Sequence, residues 1–128
     1  MAQILLIEPD KILAGHIQVY FANANHTVAV HNDLQQAIVA IDKTKPEAVV
    51  LELQLAGRSG IEFLYEFRSY PDLQKVPVIV YTSLKTGEMA AYSSVLKDLG
   101  ITQVLYKPDT RLGGLLQAVE ACLAPAAA

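Results

Sequence analysis

The sequence predicts an α/β fold: a doubly wound, three-layer sandwich built on a five-stranded parallel sheet. Five short runs are rich in apolar and β-branched residues, and a stretch with apolar residues at helical spacing follows each run. The runs are almost continuously apolar, which is typical of parallel strands covered on both faces. Because crossovers between parallel strands are right-handed, strict alternation of strand and helix predicts a (βα)5 arrangement. The five runs are residues 3–7, 27–30, 48–53, 76–82 and 103–106.

Length and composition indicate one globular domain. The chain has 128 residues, of which 52% are hydrophobic and 18% are charged. This length supports one core rather than two, and the composition excludes a disordered chain. We predict a single domain over residues 1–124 and a short Ala-rich tail over residues 125–128.

Charge, cysteine and histidine content exclude several functional classes. The formal net charge is −3 and the ten Lys and Arg residues form no run, so direct binding to nucleic acid is not expected. No apolar run approaches the roughly 18 residues of a membrane-spanning helix. A single cysteine, Cys122, and an N-terminus without a basic leader indicate a reducing, cytoplasmic setting. His16, His26 and His31 lack metal-ligand spacing and are predicted to be surface or partly buried side chains.

The helical stretches carry recognisable starts and stops. Asn32 or Asp33 can cap the second helix, and Asp109 or Thr110 can open the fifth. The fourth helix should end at Gly100, since glycine readily adopts the left-handed conformation of a helix terminus. The predicted inward-facing residues are Ile12, Leu13, Ile17 and Tyr20 or Phe21 in the first helix, and Leu112, Leu115, Leu116, Val119, Cys122 and Leu123 in the fifth.

Polar residues occupy the positions where the predicted strands end. In folds of this class the carboxyl ends of the strands share one edge of the sheet and carry the ligand and chemical sites. Acidic, hydroxyl and ammonium groups are therefore expected to converge there. The residues are Glu8, Pro9 and Asp10 after the first strand, Glu52 at the end of the third, Thr82 and Ser83 at the end of the fourth, and Lys107 after the fifth.

This order of residues resembles the receiver domain of two-component response regulators along essentially the whole chain. Residues 49–60 resemble the acceptor loop of that family, and residues 76–83 resemble its fourth strand. The resemblance implies the flavodoxin-like receiver topology and a role in phosphorelay signal transduction. It also implies that two adjacent acids after the first strand and an Asp after the third bind Mg²⁺, and that this Asp accepts the phosphoryl group. Glu8, Pro9 and Glu52 hold these positions here.

Pro9 and Glu52 depart from the family pattern in ways that should impair phosphoryl transfer. Pro9 removes one carboxylate from the implied site of Mg²⁺, an ion that demands near-octahedral oxygen ligands, and Asp10 can instead cap the first helix. The extra methylene of Glu52 moves the nucleophile by more than ~1 Å, a scale at which an oriented reaction slows about a hundredfold. We therefore expect a degenerate pocket with no catalytic residue and no bound metal.

Two interpretations of the acidic residues remain open. In the family a Thr and a Lys hold the phosphoryl oxygens, and the longer carboxylate of Glu52 can reach toward Thr82 and Lys107 and imitate the charged state permanently. Alternatively, Lys107 neutralises Glu8 and Glu52 in a structural ion pair, which by itself is weak evidence for stability. The resemblance also suggests a cis peptide bond before Pro108.

The switch aromatic that the resemblance places on the fifth strand, three positions before the Lys, is Val104 in this chain. The resemblance implies that the Thr is coupled to an aromatic ring that changes position. Val104 has no ring, so this coupling has no obvious equivalent at that position. Strand alternation puts Tyr106 on the same face as Val104. A substitute role for Tyr106 therefore stays open.

The fourth and fifth helices have uncharged outer faces that predict a docking surface. No charged residue lies between Glu88 and Lys97 or from Leu112 through Val119, although solvated helices usually alternate charges. Small side chains permit close approach by a protein partner or a second copy, and in receivers this face with the fifth strand is the usual dimer and effector surface. The competing explanation is that Ala is simply a good helix former. The predicted docking residues are Ala90, Ala91, Ser94, Gly114, Gln117 and Ala118.

Three functions are compatible with these residues. The favoured function is a pseudo-receiver that regulates through protein contacts, without phosphorylation and without catalysis. The alternative is a phosphoacceptor that takes phosphate from a histidine kinase with Mg²⁺. A flavodoxin-like or nucleotide-binding module comes third, because no Gly-rich phosphate loop follows the first strand.

Overall fold

The five strands predicted from the sequence form one parallel sheet with helices on both faces. The computed structural model describes residues 2–55, 58–101 and 103–123, and the predicted doubly wound α/β architecture is confirmed there. None of the helices in these ranges has the length and hydropathy that crossing a membrane requires. In chain order the elements are β1 (Gln3–Ile7), α1 (Lys11–Ala22), β2 (Thr27–His31), α2 (Leu34–Lys43), β3 (Ala48–Leu51), β4 (Gln54–Leu55), β5 (Arg58–Ser59), α3 (Gly60–Ser69), a 3-10 turn (Pro71–Leu73), β6 (Val78–Thr82), α4 (Thr86–Met89), a 3-10 turn (Ala90–Tyr92), α5 (Ser93–Asp98), β7 (Gln103–Tyr106), a 3-10 turn (Lys107–Asp109) and α6 (Leu112–Cys122).

The strand order is β2-β1-β3-β6-β7, and every neighbouring pair is parallel. β1 has β2 on one side and β3 on the other, so the chain order reverses at this strand, and sites of open α/β sheets lie at the carboxyl ends near such a reversal. An antiparallel hairpin follows β3, with Gln54 opposite Ser59 and Leu55 opposite Arg58. The sequence did not predict this hairpin, because strands of two residues leave no periodic signal.

Two apolar cores lie on opposite faces of the sheet, because successive side chains of a strand point in opposite directions. In β3, Val49 and Leu51 enter the core beneath α2, α3 and α5, whereas Ala48 and Val50 enter the core beneath α1 and α6. β3 and β6 are buried at every position, which agrees with their continuous apolar character. Cys122 packs against the second core, as the helical pattern predicted.

Several helix ends follow the chemistry expected from the sequence. The Asp10 carboxylate accepts hydrogen bonds from the N–H groups of Ile12 and Leu13 at 3.0 and 3.1 Å, so Asp10 caps α1. Of the two candidates at the start of α2, Asp33 is the cap. Gly100 follows α5 with a φ of 74° and takes part in the paired backbone bonds of a Schellman motif.

The fourth predicted helix is broken in the structure. The 3-10 turn Ala90–Tyr92 separates α4 from α5, whereas the sequence predicts one continuous helix that ends at Gly100. Side chains three positions apart lie above one another in a 3-10 turn, so Met89 and Tyr92 both pack against the core. The prediction was wrong about continuity, and it was right that Ala90, Ala91 and Ser94 face outward.

The start of α6 also differs from the prediction. Neither Asp109 nor Thr110 caps it, and the helix begins after Arg111 without a side-chain cap. Proline is tolerated in the first turn of a helix, and Pro108 is the second residue of the 3-10 turn Lys107–Asp109, which includes Asp109. The peptide bond between Lys107 and Pro108 is trans, so the cis peptide suggested by the resemblance is wrong.

Three side chains lie in environments other than those predicted. Ala118 is buried because it lies one turn from Leu115 on the inward side of α6, and its assignment to the docking face is wrong. His26 is buried as well, with its Nε2 atom 2.9 Å from the Glu120 Oε2 atom. Ile12, predicted to face the core, is 74% exposed, since it lies on the side of α1 opposite the buried residues.

Candidate functional site

Four polar side chains meet at the carboxyl edge of the sheet. Glu8 follows β1, Glu52 follows β3, Thr82 ends β6 and Lys107 follows β7. Backbone hydrogen bonds extend the sheet to both acids: the Glu8 N–H donates to a β2 carbonyl at 3.1 Å, and the Glu52 N–H donates to a β1 carbonyl at 3.0 Å. The sheet backbone therefore positions both carboxylates.

The Glu52 carboxylate is the hydrogen-bonding centre of the site. Its Oε2 atom accepts from the Thr82 hydroxyl at 2.5 Å and from the Gln54 N–H at 3.1 Å. Its Oε1 atom accepts from Lys107 Nζ at 2.8 Å and from the Ser83 N–H at 3.2 Å. The carboxylate is 3% exposed, and four donors from three segments of the chain replace the water that it has lost.

Lys107 bridges the two acids. Its Nζ atom lies 2.7 Å from Glu8 Oε1 and 2.8 Å from Glu52 Oε1. The other oxygen of Glu8 accepts from the Asp10 N–H at 3.0 Å. With both carboxylates and the ammonium ionised, the cluster carries one negative charge in excess, and backbone N–H groups and the Thr82 hydroxyl stabilise that charge.

The ionisation of Glu52 and Lys107 follows from this geometry. Burial alone would raise the pKa of the Glu52 carboxyl, but hydrogen bonds from Lys107, Thr82 and Gln54 outweigh burial, so the pKa lies below its ordinary value of 4.5. Burial alone would lower the pKa of Lys107, but hydrogen bonds to Glu52 and Glu8 hold it above its ordinary value of 10.5. The ion pair is therefore fully charged at neutral pH.

The Thr82 hydroxyl links the acid to the loop after β6. It donates to Glu52 Oε2, and its oxygen accepts from the Leu84 N–H at 3.1 Å. Thr82 is fully buried, so both of these bonds are shielded from water. The position of this hydroxyl, and of the loop that leads to α4, therefore depends on Glu52.

The remaining residues predicted for the site contribute less. Pro9 supplies no side-chain donor or acceptor, and the Asp10 carboxylate is used as the cap of α1. Ser83 contributes its N–H, and its hydroxyl lies 3.2 Å from the Gln54 side-chain oxygen. Across residues 2–55, 58–101 and 103–123, no group of three or more His, Cys, Asp or Glu side chains converges as a metal ligand set.

Val104 and Tyr106 lie on the same face of β7, where both line a cavity of about 500 Å³ between this strand and the α4–α5 segment. Val104 is 44% exposed, an unusual value for an apolar side chain of a sheet. The strand alternation that placed the two residues together is therefore confirmed. Neither residue contacts the Glu52 carboxylate by a hydrogen bond.

The predicted docking residues lie on both sides of β7, which is an edge strand. The α4–α5 segment packs on one core and α6 on the other, so the outer faces of these elements flank the free edge of the sheet. Five of the six predicted residues are exposed, and Ala118 is not. The exposed ones are Ala90, Ala91, Ser94, Gly114 and Gln117.

Two backbone donors in the site, the N–H groups of Gln54 and Ser83, were not predicted from the sequence. Gln54 begins the hairpin after β3, and Ser83 lies in the turn after β6. A backbone donor has no residue-type signal, because every residue except proline carries one. Only the position of Glu52 at a strand end could have suggested them.

A doubly wound sheet with acids, a hydroxyl and an ammonium group at its carboxyl edge defines a receiver-type signalling domain. The family model described as the response regulator receiver domain matches residues 4–120, and the chain belongs to this family. It is therefore a receiver domain of two-component signalling.

Several known proteins are similar to this chain. The Regulator of RpoS from Escherichia coli (strain K12) is 27% identical over 123 residues, which cover 96% of this chain and 35% of the relative. The chain thus spans about a third of that protein. Among solved structures, chemotaxis protein CheY4 of Vibrio cholerae has a TM-score of 0.86 at 19% identity, covering 96% of this chain and 99% of that one. A two-component response regulator from Clostridium difficile has a TM-score of 0.82 at 21% identity, covering 95% of this chain and 95% of that one.

Proposed function

We propose that this chain is a cytoplasmic pseudo-receiver, a regulatory module that works through protein contacts without phosphorylation, catalysis or a bound cofactor. One observation carries the proposal: the Glu52 carboxylate is hydrogen-bonded to both Thr82 and Lys107. In the family these two groups hold the oxygens of the phosphoryl group. The Glu52 carboxylate accepts the hydrogen bonds from Thr82 and Lys107 that a phosphoryl group would otherwise accept.

The hydrogen bonds of Glu52 also oppose its use as a nucleophile. Each carboxylate oxygen accepts at least two hydrogen bonds, so attack on a phosphoryl donor would require breaking at least one of them in a buried site. The ammonium of Lys107 is paired with the carboxylate, and this pairing makes the carboxylate a weaker nucleophile toward phosphorus. Both effects add to the misplacement caused by the extra methylene of the side chain.

The oxygen donors at this edge do not fit Mg²⁺. The ion needs several oxygens in near-octahedral positions at about 2.0–2.1 Å. Pro9 supplies none, and the Asp10 carboxylate is used as a helix cap. The oxygens of Glu8 and Glu52 that face each other already share the Lys107 ammonium, so a divalent cation would have to displace that charge.

We assign the output to the surface around β7. Uncharged, exposed residues on α4–α5 and α6 flank this free strand edge, and the loop between Thr82 and α4 connects the surface to Glu52. A protein partner or a second copy of the chain is the expected ligand of this surface. Nucleic acid is not expected to bind there, because the chain has a net charge of −3 and no run of basic residues.

The decisive experiment is incubation with acetyl phosphate and Mg²⁺, followed by intact mass spectrometry. The wild-type chain should gain no phosphoryl group. The double variant Pro9→Asp with Glu52→Asp, which restores a metal carboxylate and the shorter acid, serves as the matched control and should gain one. A stoichiometric gain by the wild type that Glu52→Ala abolishes would favour the phosphoacceptor alternative.

The docking surface is tested by charge insertion. Ala91→Glu and Gln117→Glu should each weaken self-association or partner capture, measured by analytical ultracentrifugation and by pull-down with the purified chain. Gln35→Glu, an exposed position on α2, is the control that should change neither. If Ala91→Glu and Gln117→Glu both behave like the control, the surface is inert.

A further inference from the structure

A cavity between β7 and the α4–α5 segment borders the site. Its volume is about 500 Å³, and its inner end is formed by Thr82 and Leu84. Small-molecule sites in proteins are concave, mostly apolar and about 300–1,000 Å³ in volume. Size and position therefore make this cavity a candidate binding site.

The cavity forms because the side chains of its two walls, β7 and the segment from α4 to the 3-10 turn Ala90–Tyr92, do not fill the space between them. Val104 is a small side chain on the β7 wall, and it remains 44% exposed although it belongs to a strand. The opposite wall is α4 with the 3-10 turn Ala90–Tyr92, and neither contains a buried residue. Met89 and Tyr106 are the large side chains of these walls, and both line the cavity.

The chemistry of the lining indicates one class of ligand. Leu84 and Leu96 are buried apolar residues of the lining, and Thr86 and Ser93 add hydroxyl groups. Among the described residues that form the cavity, Lys97 alone is charged. An apolar body would displace water from the leucines and from Val104. A single acidic group on the ligand would pair with the ammonium of Lys97.

We infer that this cavity binds a small, mostly apolar molecule with one acidic group, and that the ligand acts on the α4–α5 segment. The inference rests on the proposed function for its consequence, because the cavity wall is also part of the docking surface. Glu52 already holds the Thr82 hydroxyl in place. A conformational change would therefore occur in the α4–α5 segment rather than at Thr82. Ligand binding would then replace phosphorylation as the input.

Anilinonaphthalene sulfonate, an aromatic molecule with one acidic group, is a suitable probe. Fluorescence titration should give saturable binding to one site, and NMR of the ¹⁵N-labelled chain should show shifts at the Leu84, Leu96 and Val104 amides. Val104→Phe and Ser93→Leu fill the cavity from opposite walls, and each should weaken binding at least about tenfold. Lys97→Gln should weaken it about two- to fivefold, as loss of an exposed ion pair.

Two comparisons separate the cavity from unspecific binding. Val19→Phe adds a ring at an exposed position of α1, which packs on the other core, and should leave the affinity unchanged. Anilinonaphthalene without the sulfonate should bind the wild type more weakly but show no further loss in Lys97→Gln. The dispersion of the NMR spectrum shows whether each variant is folded, and the two cavity-filling variants provide independent tests.

The inference is wrong if the probe does not bind, if both cavity-filling variants bind it as tightly as the wild type, or if the shifts lie on α1. Its failure can be distinguished from failure of the proposed function. Uptake of phosphate at Glu52 would refute the pseudo-receiver proposal and leave probe binding intact. Loss of probe binding without phosphate uptake would refute only the cavity.

Discussion

Lys107 controls the electrostatic balance of the site, because its ammonium contacts both buried acids. Lys107→Met should therefore leave two carboxylates in a poorly hydrated environment. Removing one partner of a buried ion pair typically costs about 3–5 kcal/mol. Urea unfolding near neutral pH should show a loss of this size in the free energy of unfolding.

Glu8→Gln is the matched variant for Lys107→Met. It removes the excess negative charge of the cluster and keeps the shape of the side chain, so it should cost less than about 1.5 kcal/mol, the net contribution of one ordinary hydrogen bond. Equal losses in the two variants would show that charge compensation by Lys107 does not stabilise the fold.

The stability contributed by Glu52 and Lys107 should depend on pH in opposite directions. The pKa of Glu52 is lowered in the folded state, so its contribution is present above its ordinary pKa of 4.5 and is lost as the pH falls through the folded value. The pKa of Lys107 is raised, so its contribution is present below 10.5 and is lost as the pH rises through the folded value. The cluster is thus most stabilising between these limits.

Glu52→Gln tests the acidic side of this prediction, since the amide cannot ionise. Chemical unfolding between about pH 7 and about pH 3 should show a steeper fall for the wild type than for the variant, because the unfolded wild type binds one proton more in that range. Parallel curves would mean that the Glu52 carboxyl has the same pKa in both states.

Arg68 shows how one side chain in α3 holds the ends of other elements. Its guanidinium donates to the carbonyls of Leu99, Leu73 and Val76, each at 2.8 Å. These carbonyls belong to the end of α5, the 3-10 turn after α3 and the segment before β6. Burial lowers the pKa of Arg68, yet the group stays charged and bonded to all three.

Arg68→Lys should lower the free energy of unfolding by about 1–3 kcal/mol, although it keeps the charge. A lysine ammonium cannot reproduce the planar fork that reaches three separate acceptors, and an unpaired buried carbonyl is costly. Thermal and urea denaturation measure the loss, with Arg58→Lys as a control at an exposed arginine. Equal stability of the two variants would contradict the structural role of Arg68.

Two helix glycines should respond in opposite ways to alanine. A Cβ atom at Gly15 of α1 would meet nothing within 4 Å, whereas at Gly60 of α3 it would lie 2.8 Å from the Glu52 carbonyl oxygen and 3.0 Å from Leu53 Cα. Gly15→Ala should stabilise the chain by about 1 kcal/mol through helix propensity. Gly60→Ala should destabilise it by about 1–3 kcal/mol through overpacking. Differential scanning calorimetry measures the melting temperature of each variant. A higher melting temperature for Gly60→Ala would contradict the close packing at Gly60.

The elements could be predicted from sequence wherever one local signal decided them. Continuous apolar runs predicted the strands, and the side chain of Asp10 and the conformational freedom of Gly100 predicted helix ends. What depends on distant residues was missed: His26 is buried because Glu120, far along the chain, supplies its partner. The same holds for Arg68, whose acceptors come from three segments. Ala118 is different, because its spacing of three residues from Leu115 is a local signal that places it on the buried side of α6.

The whole sheet explains why the site residues were more predictable than the surfaces. Parallel strands of known order bring their carboxyl ends to one edge, so Glu52, Thr82 and Lys107 had to meet once the strands were assigned. The reach of the longer acid then follows from covalent geometry. No comparable rule determines how α4 lies over β7, because that segment has few buried side chains to align it.

This uneven burial predicts uneven local stability across the molecule. β3 is central and buried at every position, whereas α4 and the 3-10 turn Ala90–Tyr92 have no buried residue and no side-chain cap. Amides open with a free energy set by the burial of their own segment. Hydrogen exchange at neutral pH should therefore be fast in this segment, while β3 amides exchange only through global unfolding.

The same measurement relates local stability to the cavity. A ligand that bridges Val104 and the α4–α5 segment should slow exchange at Met89 and Tyr92 and leave β3 unchanged, because it adds buried contacts only on that side. The variant Val104→Phe should reproduce part of this protection without ligand, since the ring fills the same space. In the free wild type, α4 amides that are already as protected as those of β3 would contradict this prediction. The α4–α5 segment would then be ordered without ligand, and ligand binding could not act by ordering it.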